Sequence, residues 1–448
     1  MEATPPFESV LRENRHTLTL ALPIIAGFVG QMLMGIADSV MVGHVGVIPL
    51  AACAFANTVL SVPLVFGFGL LASVSVSASH AYGAGRLHLA GESLRGGIFI
   101  SVAMGLLIAG GAHAGLPFLS LLGQPAEVNE AVGMYFILCA WSFIPVFATG
   151  AAKNFCEALA RPWPPFWIMM GGVGLNVFLN WILIYGNLGA PAMGLDGAGW
   201  ATLASRIATM VGILWYPALA VSLRTAWPKN WLAPGLRSAT HRLLKIGIPT
   251  GGLNLCEASG FSLGSIMMGW LGVVPLAAHQ IALACAVTTF MVPLGLAQAL
   301  SVRVAHARGA GRLDGIPAIV KGALGLTVAV MAFFAAVYIF FGSGIAGGFV
   351  ADSAVRSLTA QLLVLAGVFQ IFDGIQIVSS GALRGFGDTK VPFVIGVFSY
   401  WVVALPVSWF AAFRLDFGAP GIWIGFVVGL GVAAAAMSAR LRLHARRG

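Results

Sequence analysis

The sequence predicts an all-α integral membrane protein of twelve transmembrane helices in two pseudo-symmetric six-helix lobes, related as parallel repeats. Three observations predict it. Of 448 residues, 59% are hydrophobic and 9% are charged, where soluble chains carry about 25% charge, so too little polar surface exists to cover a water-soluble core of this size. The apolar residues come in continuous runs near the ~20 residues that a spanning helix needs, not in the alternation of a membrane β-barrel. The third observation is an internal repeat at an offset of 226 residues.

Charge and turn signals bound each run in order. Span 1, over 17–42, follows Arg15 and contains Pro23. Span 2 (48–76) leads into the HAYGAGRL turn at 80–87, and span 3 (97–122) begins after Arg95. Glu127 and Glu130 precede span 4 (130–152), which stops at Lys153. Span 5 (163–186) lies between Arg161 and NLGAP at 187–191, and span 6 (197–222) between Asp196 and Arg224. A linker at 223–244 then carries Pro228 and Pro234 with Arg224, Lys229, Arg237 and Arg242. Span 7 (245–270) starts at Lys245, and span 8 (276–302) ends at Arg303. Lys321 and Asp352 bracket span 9 (322–342), and Arg356 and Arg384 bracket span 10 (358–382). Span 11 (391–413) runs from Lys390 to Arg414, and span 12 (420–440) from the DFGAP run to Arg440. The domains expected are therefore 1–222, a cytoplasmic linker at 223–244, and 245–448.

The basic residues set an orientation. Of 24 Lys and Arg, only Arg206, Arg356 and Arg414 fall outside the termini and even-numbered loops. The positive-inside rule then places both termini in the cytoplasm, and it accounts for the net charge of +9 without a nucleic-acid partner. The expected location is a bacterial cytoplasmic (inner) membrane. No cleavable signal is visible ahead of span 1. The cysteines at 53, 139, 156, 256 and 285 lack metal-ligand or CxxC spacing and read as buried thiols.

Shifting the chain by 226 residues aligns Pro23–Leu87 with Pro249–Leu313 without a gap, and 22 of the 65 positions are identical. GVIPLAA at 46–52 meets GVVPLAA at 272–278, and HAYGAGRL meets HARGAGRL at 306–313. Each half holds six spans, so both start from the same face. Transporters built from such repeats bind near the midplane and alternate access by rocking. A channel would need a filter-like polar re-entrant segment, and none is visible. The GAGR runs are turns and no P-loop exists, so direct ATP drive is not expected.

Four ionisable side chains lie inside spans: Asp38, Arg206, Glu257 and Asp373. Each costs about 2.5–3.5 kcal/mol on insertion scales, so each must face an internal cavity or another of the four. One reading is an Asp38–Arg206 salt bridge that locks helices. The other makes the acids proton or sodium sites, because a carboxyl removed from water takes up a proton more readily. Gln31 and Asp38 share one face of span 1, and Asn254 lies beside Glu257. Gln370, Asp373 and Gln376 form a stripe on span 10. Asn176 and Asn180 sit four apart on span 5, either able to partner Asp38. The amides also suit plain helix–helix hydrogen bonding. Pro23 and Pro249 occupy matching places, as kinks or as hinges. Across the repeat Glu257 falls on Gln31 and Asp38 on Gly264, so the halves differ where charge matters.

Four segments together resemble the multidrug and toxic compound extrusion (MATE) family, in particular its NorM-like branch. They are GQMLMGIADSVMVGHVG at 30–46, NVFLNWILIYGNLGAP at 176–191, AAHQIAL at 277–283 and FQIFDGIQIVSSGALRGFGD at 369–388. The resemblance covers nearly the whole chain. It implies two six-helix lobes around a central cavity, and efflux of organic, often cationic, compounds in exchange for Na⁺ or H⁺. By that resemblance Asp38 is the N-lobe acid and Asn180 its neighbour, and Glu257 and Asp373 are the C-lobe coupling pair, which would hold Na⁺ in a sodium-coupled member. Asn176, Gln31, Asn254, Gln280, Gln370 and Arg206 complete the expected cavity set. Two departures stand out. Phe369 replaces an expected tyrosine oxygen, which tilts the reading toward H⁺, and Arg206 matches no family role. The expected partners are small organic cations, H⁺ or Na⁺ and membrane lipid, with no cofactor and a monomeric chain. The competing transport class, a lipid-linked saccharide flippase, would favour a cavity rich in Arg and Lys. An intramembrane enzyme would need Glu257 and Asp373 to act as an aspartyl-type dyad.

Overall fold

The computed structural model describes residues 6–221, 223–228, 230–231 and 235–447, with side chains from Glu13 to His444. Lys229 and Pro234 of the expected linker lie outside the described residues, as do the side chains of Arg12, Arg446 and Arg447. Among the described residues twelve long helical rods follow one another: α1 (Pro6–Gly43), α2 (Val47–Gly83), α3 (Leu87–Gly115), α4 (Ala126–Ala158), α5 (Trp163–Tyr185), α6 (Gly194–Leu219), α7 (Leu236–Leu271), α8 (Val273–Gly309), α9 (Ile316–Phe349), α10 (Ser353–Gly385), α11 (Lys390–Phe413) and α12 (Gly418–Arg447). The order and number are those the sequence predicts. Ten of the rods are long and apolar enough to cross a membrane. The other two, α6 and α7, carry Arg206 and Glu257, and polar residues of this kind lower the hydropathy of a helix that turns them inward. Large apolar side chains such as Leu107, Val273 and Phe340 stand exposed along the rods, as a lipid-facing surface requires.

The repeat is present in the backbone. α2 and α8 are both 37 residues long and start and stop at positions related by the same 226-residue offset. The turns after them place Gly85 and Gly311 at φ +70°, in the left-handed region where a side chain would be strained. The conserved spelling GAGR thus reflects one turn geometry used twice.

Several rods are longer than the apolar runs or broken within them. α7 begins at Leu236, so the expected linker is helix from there to its end at 244. α4 breaks at Ser142 between Ala126–Trp141 and Phe143–Ala158. α11 contains a π-helical segment over Phe398–Ala404. Asp352 caps α10 by accepting a hydrogen bond from the Val355 amide at 2.9 Å.

By packing, the chain divides into two compact units, Ala26–Gly251 and Met1–Ile25 with Gly252–Gly448. The boundaries fall just beyond Pro23 and Pro249, inside α1 and α7, rather than at 223–244. Local contacts explain this. The start of α7 lies against α2 and α3: a Cβ on Gly247 would sit 2.4 Å from the Leu70 carbonyl, and one on Gly96 3.0 Å from Leu243. The start of α1 belongs with α8, where Arg303 binds Glu13 and Thr17, and a Cβ on Gly295 would meet Ile25 at 2.3 Å.

Within the Ala26–Gly251 unit, α2 packs on α3 and α4, and α5 pairs with α6. In the other unit α10 is central, packed on α8, α9 and α12, and α12 also packs on α11. The α11–α12 seam rests on Gly421, Gly425 and Gly429, one helical turn apart. A Cβ at any of them would lie 2.1–2.6 Å from α11 atoms. Small residues spaced by four let two membrane helices approach at backbone distance, and Ser408 adds a hydrogen bond to the Ile422 carbonyl at 2.9 Å.

Candidate functional site

The Ala26–Gly251 unit encloses a cavity of about 330 Å³ lined by Gln31, Asp38, Asn57, Tyr135 and Arg206 among apolar neighbours that include Phe68 and Phe143. Gln31 and Asp38 reach it from one face of α1. The Asp38 carboxylate accepts a hydrogen bond from Asn180 Nδ2 at 2.6 Å. Asn180 also donates to Asn176 Oδ1 at 3.2 Å, and Asn176 donates to Ser205 at 3.4 Å. Both asparagines are fully buried. The spacing left open which of them would partner Asp38 and the family resemblance named Asn180; in the structure Asn180 bonds to Asp38, with Asn176 one step behind.

Arg206 does not pair with Asp38. Its Nη1 donates to Ser142 Oγ at 2.5 Å. The ion pairs among the described residues involve Lys153, Arg242, Arg303, Arg440 and His444. The locking salt bridge, one of the two readings of these charges, is not formed; Arg206 instead bonds to a neutral hydroxyl at the break in α4.

The second acidic site lies in the other unit. Glu257 on α7, Asp373 on α10 and Tyr400 on the π-helical segment of α11 are electrostatic neighbours. Asp373, Gln370 and Gln376 are buried in one stripe of α10, and Gln370 Oε1 accepts from Thr289 of α8. Tyr338 donates to the Cys285 carbonyl at 2.8 Å and lies 3.3 Å from Thr289. Among the described residues Asp373 Oδ1, Gln370 Nε2 and both amide atoms of Gln376 have no hydrogen-bond partner, which is costly for buried polar atoms. Asn254 is half-buried one turn before Glu257. Among the described residues no group of three or more His, Cys, Asp or Glu could hold a metal ion.

Phe369 is packed edge-on between Phe261 and Trp423, with ring centroids 5.7 and 5.6 Å away. The tyrosine oxygens near this site come from Tyr338 and Tyr400 instead. Gln280 is exposed on α8 and does not line the Asp38 cavity. Its neighbour His279 is the buried residue, 3.0 Å from Ser265. The two positions project about 100° apart on one helix, and the apolar run gave no way to choose between them.

The sequence reading also missed Lys153 and Glu157. Counted with the loop charges, Lys153 instead lies in α4, 3.2 Å from Glu157 and 4.6 Å from the Phe28 ring centroid. Their i,i+4 spacing was the available signal. Arg95, also read as a loop residue, is buried in α3 and donates to the Asn230 carbonyl at 3.0 Å. Of the five free cysteines, four are buried and Cys285 is half-buried.

A helical multi-pass membrane protein with a repeated backbone and acidic side chains inside its helices has the build of a membrane transporter. The MatE family profile matches residues 23–182 and 249–410, and its two segments begin at the paired prolines. The chain belongs to this family of transporters and is not an enzyme. It is 35% identical to "Probable multidrug resistance protein NorM" of Bradyrhizobium diazoefficiens, over 99% of this chain and 96% of that one. The protein of the same name from Rhodopseudomonas palustris is also 35% identical, over 94% of this chain and 90% of that one. Among solved structures, a mutant of the Vibrio cholerae MATE transporter VcmN superposes with a TM-score of 0.90 at 22% identity, covering 98% of this chain and 99% of that one. The eukaryotic MATE transporter AtDTX14 gives 0.86 at 22% identity, covering 98% of each. These two likenesses carry the fold.

Proposed function

We propose that the chain is a multidrug antiporter of the bacterial cytoplasmic membrane. It exports organic compounds bearing a cationic centre in exchange for an inward proton or sodium ion, by alternating access of the six-helix halves 1–222 and 245–448. The basic even-numbered loops support cytoplasmic termini, and the relatives named as probable multidrug resistance proteins support the substrate class. The observation that carries the reading is the separation of two acidic sites. Asp38 opens onto a cavity of a size that suits a drug-like molecule. Glu257 and Asp373 sit among aromatic rings and unpartnered amide atoms, an arrangement suited to a small cation.

In this mechanism Glu257 and Asp373 take up the inward ion. Asp38, held by Asn180, supplies the negative charge for the substrate. Neutralising one site and charging the other favours different conformations only through their differential contacts. Protons are the favoured coupling ion, because Phe369 takes away one oxygen that a sodium site would use. The test is substrate movement in inverted vesicles under a pH gradient alone, then under a sodium gradient alone. A pH gradient should suffice. Transport driven by neither gradient would overturn the antiport reading.

A further inference from the structure

The cavity that holds Asp38 also holds Arg206, and a site built only for cations has no use for a guanidinium. An arginine at membrane depth is costly, and the inexpensive way to keep one is an ion pair. Here it makes none within 4 Å among the described residues. Its bond goes to Ser142 Oγ, which itself donates to the Cys139 carbonyl at 2.6 Å. Ser205 and Thr209 also line the cavity, but Ser205 accepts from Asn176 and donates to the Thr202 carbonyl, Thr209 donates to the Ser205 carbonyl, and neither bonds to Arg206. A guanidinium has five N–H donors, so donors remain for a ligand in the cavity.

We infer that this cavity recognises dipolar organic molecules that carry an ammonium at one end and a carboxylate at the other. Asp38 receives the ammonium and Arg206 the carboxylate. The inference rests on the transporter reading above and narrows its substrate class. The two protein charges cancel, so a simple cation gains from Asp38 and loses to Arg206, and a simple anion does the reverse. A zwitterion is attracted at both ends. Asp38 and Arg206 both line the cavity without touching each other, so a ligand of drug size can lie between them.

The experiment titrates three matched fluorescent probes onto the purified full-length protein. Nα-dansyl-lysine is the zwitterion, its methyl ester a monocation, and its Nε-acetyl derivative a monoanion. The wild type should bind the zwitterion at least about tenfold tighter than either relative, since a charge-assisted hydrogen bond to an ionised group has at least that worth. Arg206→Gln should erase the preference over the ester and leave ester binding intact or stronger. Asp38→Asn should erase the preference over the acetyl derivative. Arg206→Lys should keep part of the preference. Thermal unfolding checks that each variant folds, and if Arg206→Gln does not, the wild-type series with Arg206→Lys decides. Equal binding of ester and zwitterion by the wild type, an unchanged preference in Arg206→Gln, or no binding of any probe would each overturn the inference. Resistance to monocationic dyes in an efflux-deficient bacterium is scored separately. Its loss alongside intact zwitterion preference would count against the efflux reading and leave the recognition site standing.

Discussion

Replacing Asn180 by alanine isolates the support of the Asp38 carboxylate. Asn180 is fully buried and donates to Asp38 at 2.6 Å. A hydrogen bond to a charged acceptor contributes about 1.5–3 kcal/mol. Without it the carboxylate loses its donor and its fixed direction toward the cavity, so affinity for a monocation should fall about 10- to 150-fold. The assay is fluorescence titration with Nα-dansyl-lysine methyl ester, with thermal unfolding as the check on folding. A double-mutant cycle attributes the loss. In an Asp38→Asn background the acceptor is neutral, and Asn180→Ala should then cost only about 2- to 12-fold, the roughly 0.5–1.5 kcal/mol of a neutral bond. An unchanged affinity in the single variant, or the same loss in both backgrounds, would refute the assignment of Asn180 as the support of Asp38.

Four further outcomes are expected. Glu257→Gln and Asp373→Asn should each abolish exchange in liposomes while the protein still inserts and unfolds cooperatively; wild-type exchange in both would move the coupling role to Asp38. Gly425→Ala should destabilise the protein by the roughly 1–3 kcal/mol typical of overpacking, read as a lower unfolding temperature, because its Cβ would lie 2.1 Å from Ser408 Oγ, whereas Gly431→Ala, with nothing within 4 Å, should be close to neutral. Burial alone would raise the Asp388 carboxyl, but hydrogen bonds from His444 and Arg440 outweigh it and hold it below the usual range; its stabilisation is therefore present above the unfolded value and lost as pH falls through the folded one, so Asp388→Asn should speed hydrogen exchange in α12 at neutral pH and match the wild type in strong acid. Exchange of a monocation for two protons carries one net charge inward, gaining about 2.3 kcal/mol per 100 mV, so a valinomycin-clamped potential should move such a substrate without any ion gradient; no movement would indicate one-for-one exchange.

Span order and number were legible because each helix must present a long apolar run to lipid. Helix ends were less legible. Residues 236–244 read as linker because their Arg and His side chains interrupt the apolar pattern, yet a helix continues into water whenever one face still finds a partner, and this one packs against α2 and α3. The break at Ser142 and the π-helical segment at Phe398–Ala404 have no local signature, since serine and aromatic residues are ordinary inside membrane helices. Charge at membrane depth marked Asp38, Glu257, Asp373 and Arg206 as inward-facing. The partner of each depends on packing, so the sequence could narrow Asp38 to two asparagines but not foresee that Ser142 would receive Arg206.

The repeat explains why the acidic sites differ in kind. The two halves share helix lengths, turn geometry and paired prolines, so the same backbone positions were available to both. At the place of Asp38 the second half has Gly264, where a Cβ would lie 2.2 Å from the Phe426 ring. That ring stacks edge-on with Phe261 at 5.2 Å, and Phe261 in turn meets Phe369 and Tyr400. A carboxylate there would have no room, and its charge would face hydrocarbon. The acid of the second half instead stands seven residues earlier on its helix, at Glu257, beside Asp373 and the orphaned Gln376 amide. The first half has glutamine at that earlier place and keeps open volume around Asp38. On the antiport proposed above, filling one half with rings would confine its acids to a ligand as small as an ion, and leaving the other half hollow would admit an organic molecule. The same aromatic packing that removes the Asp38 equivalent would then separate the coupling ion from the cargo.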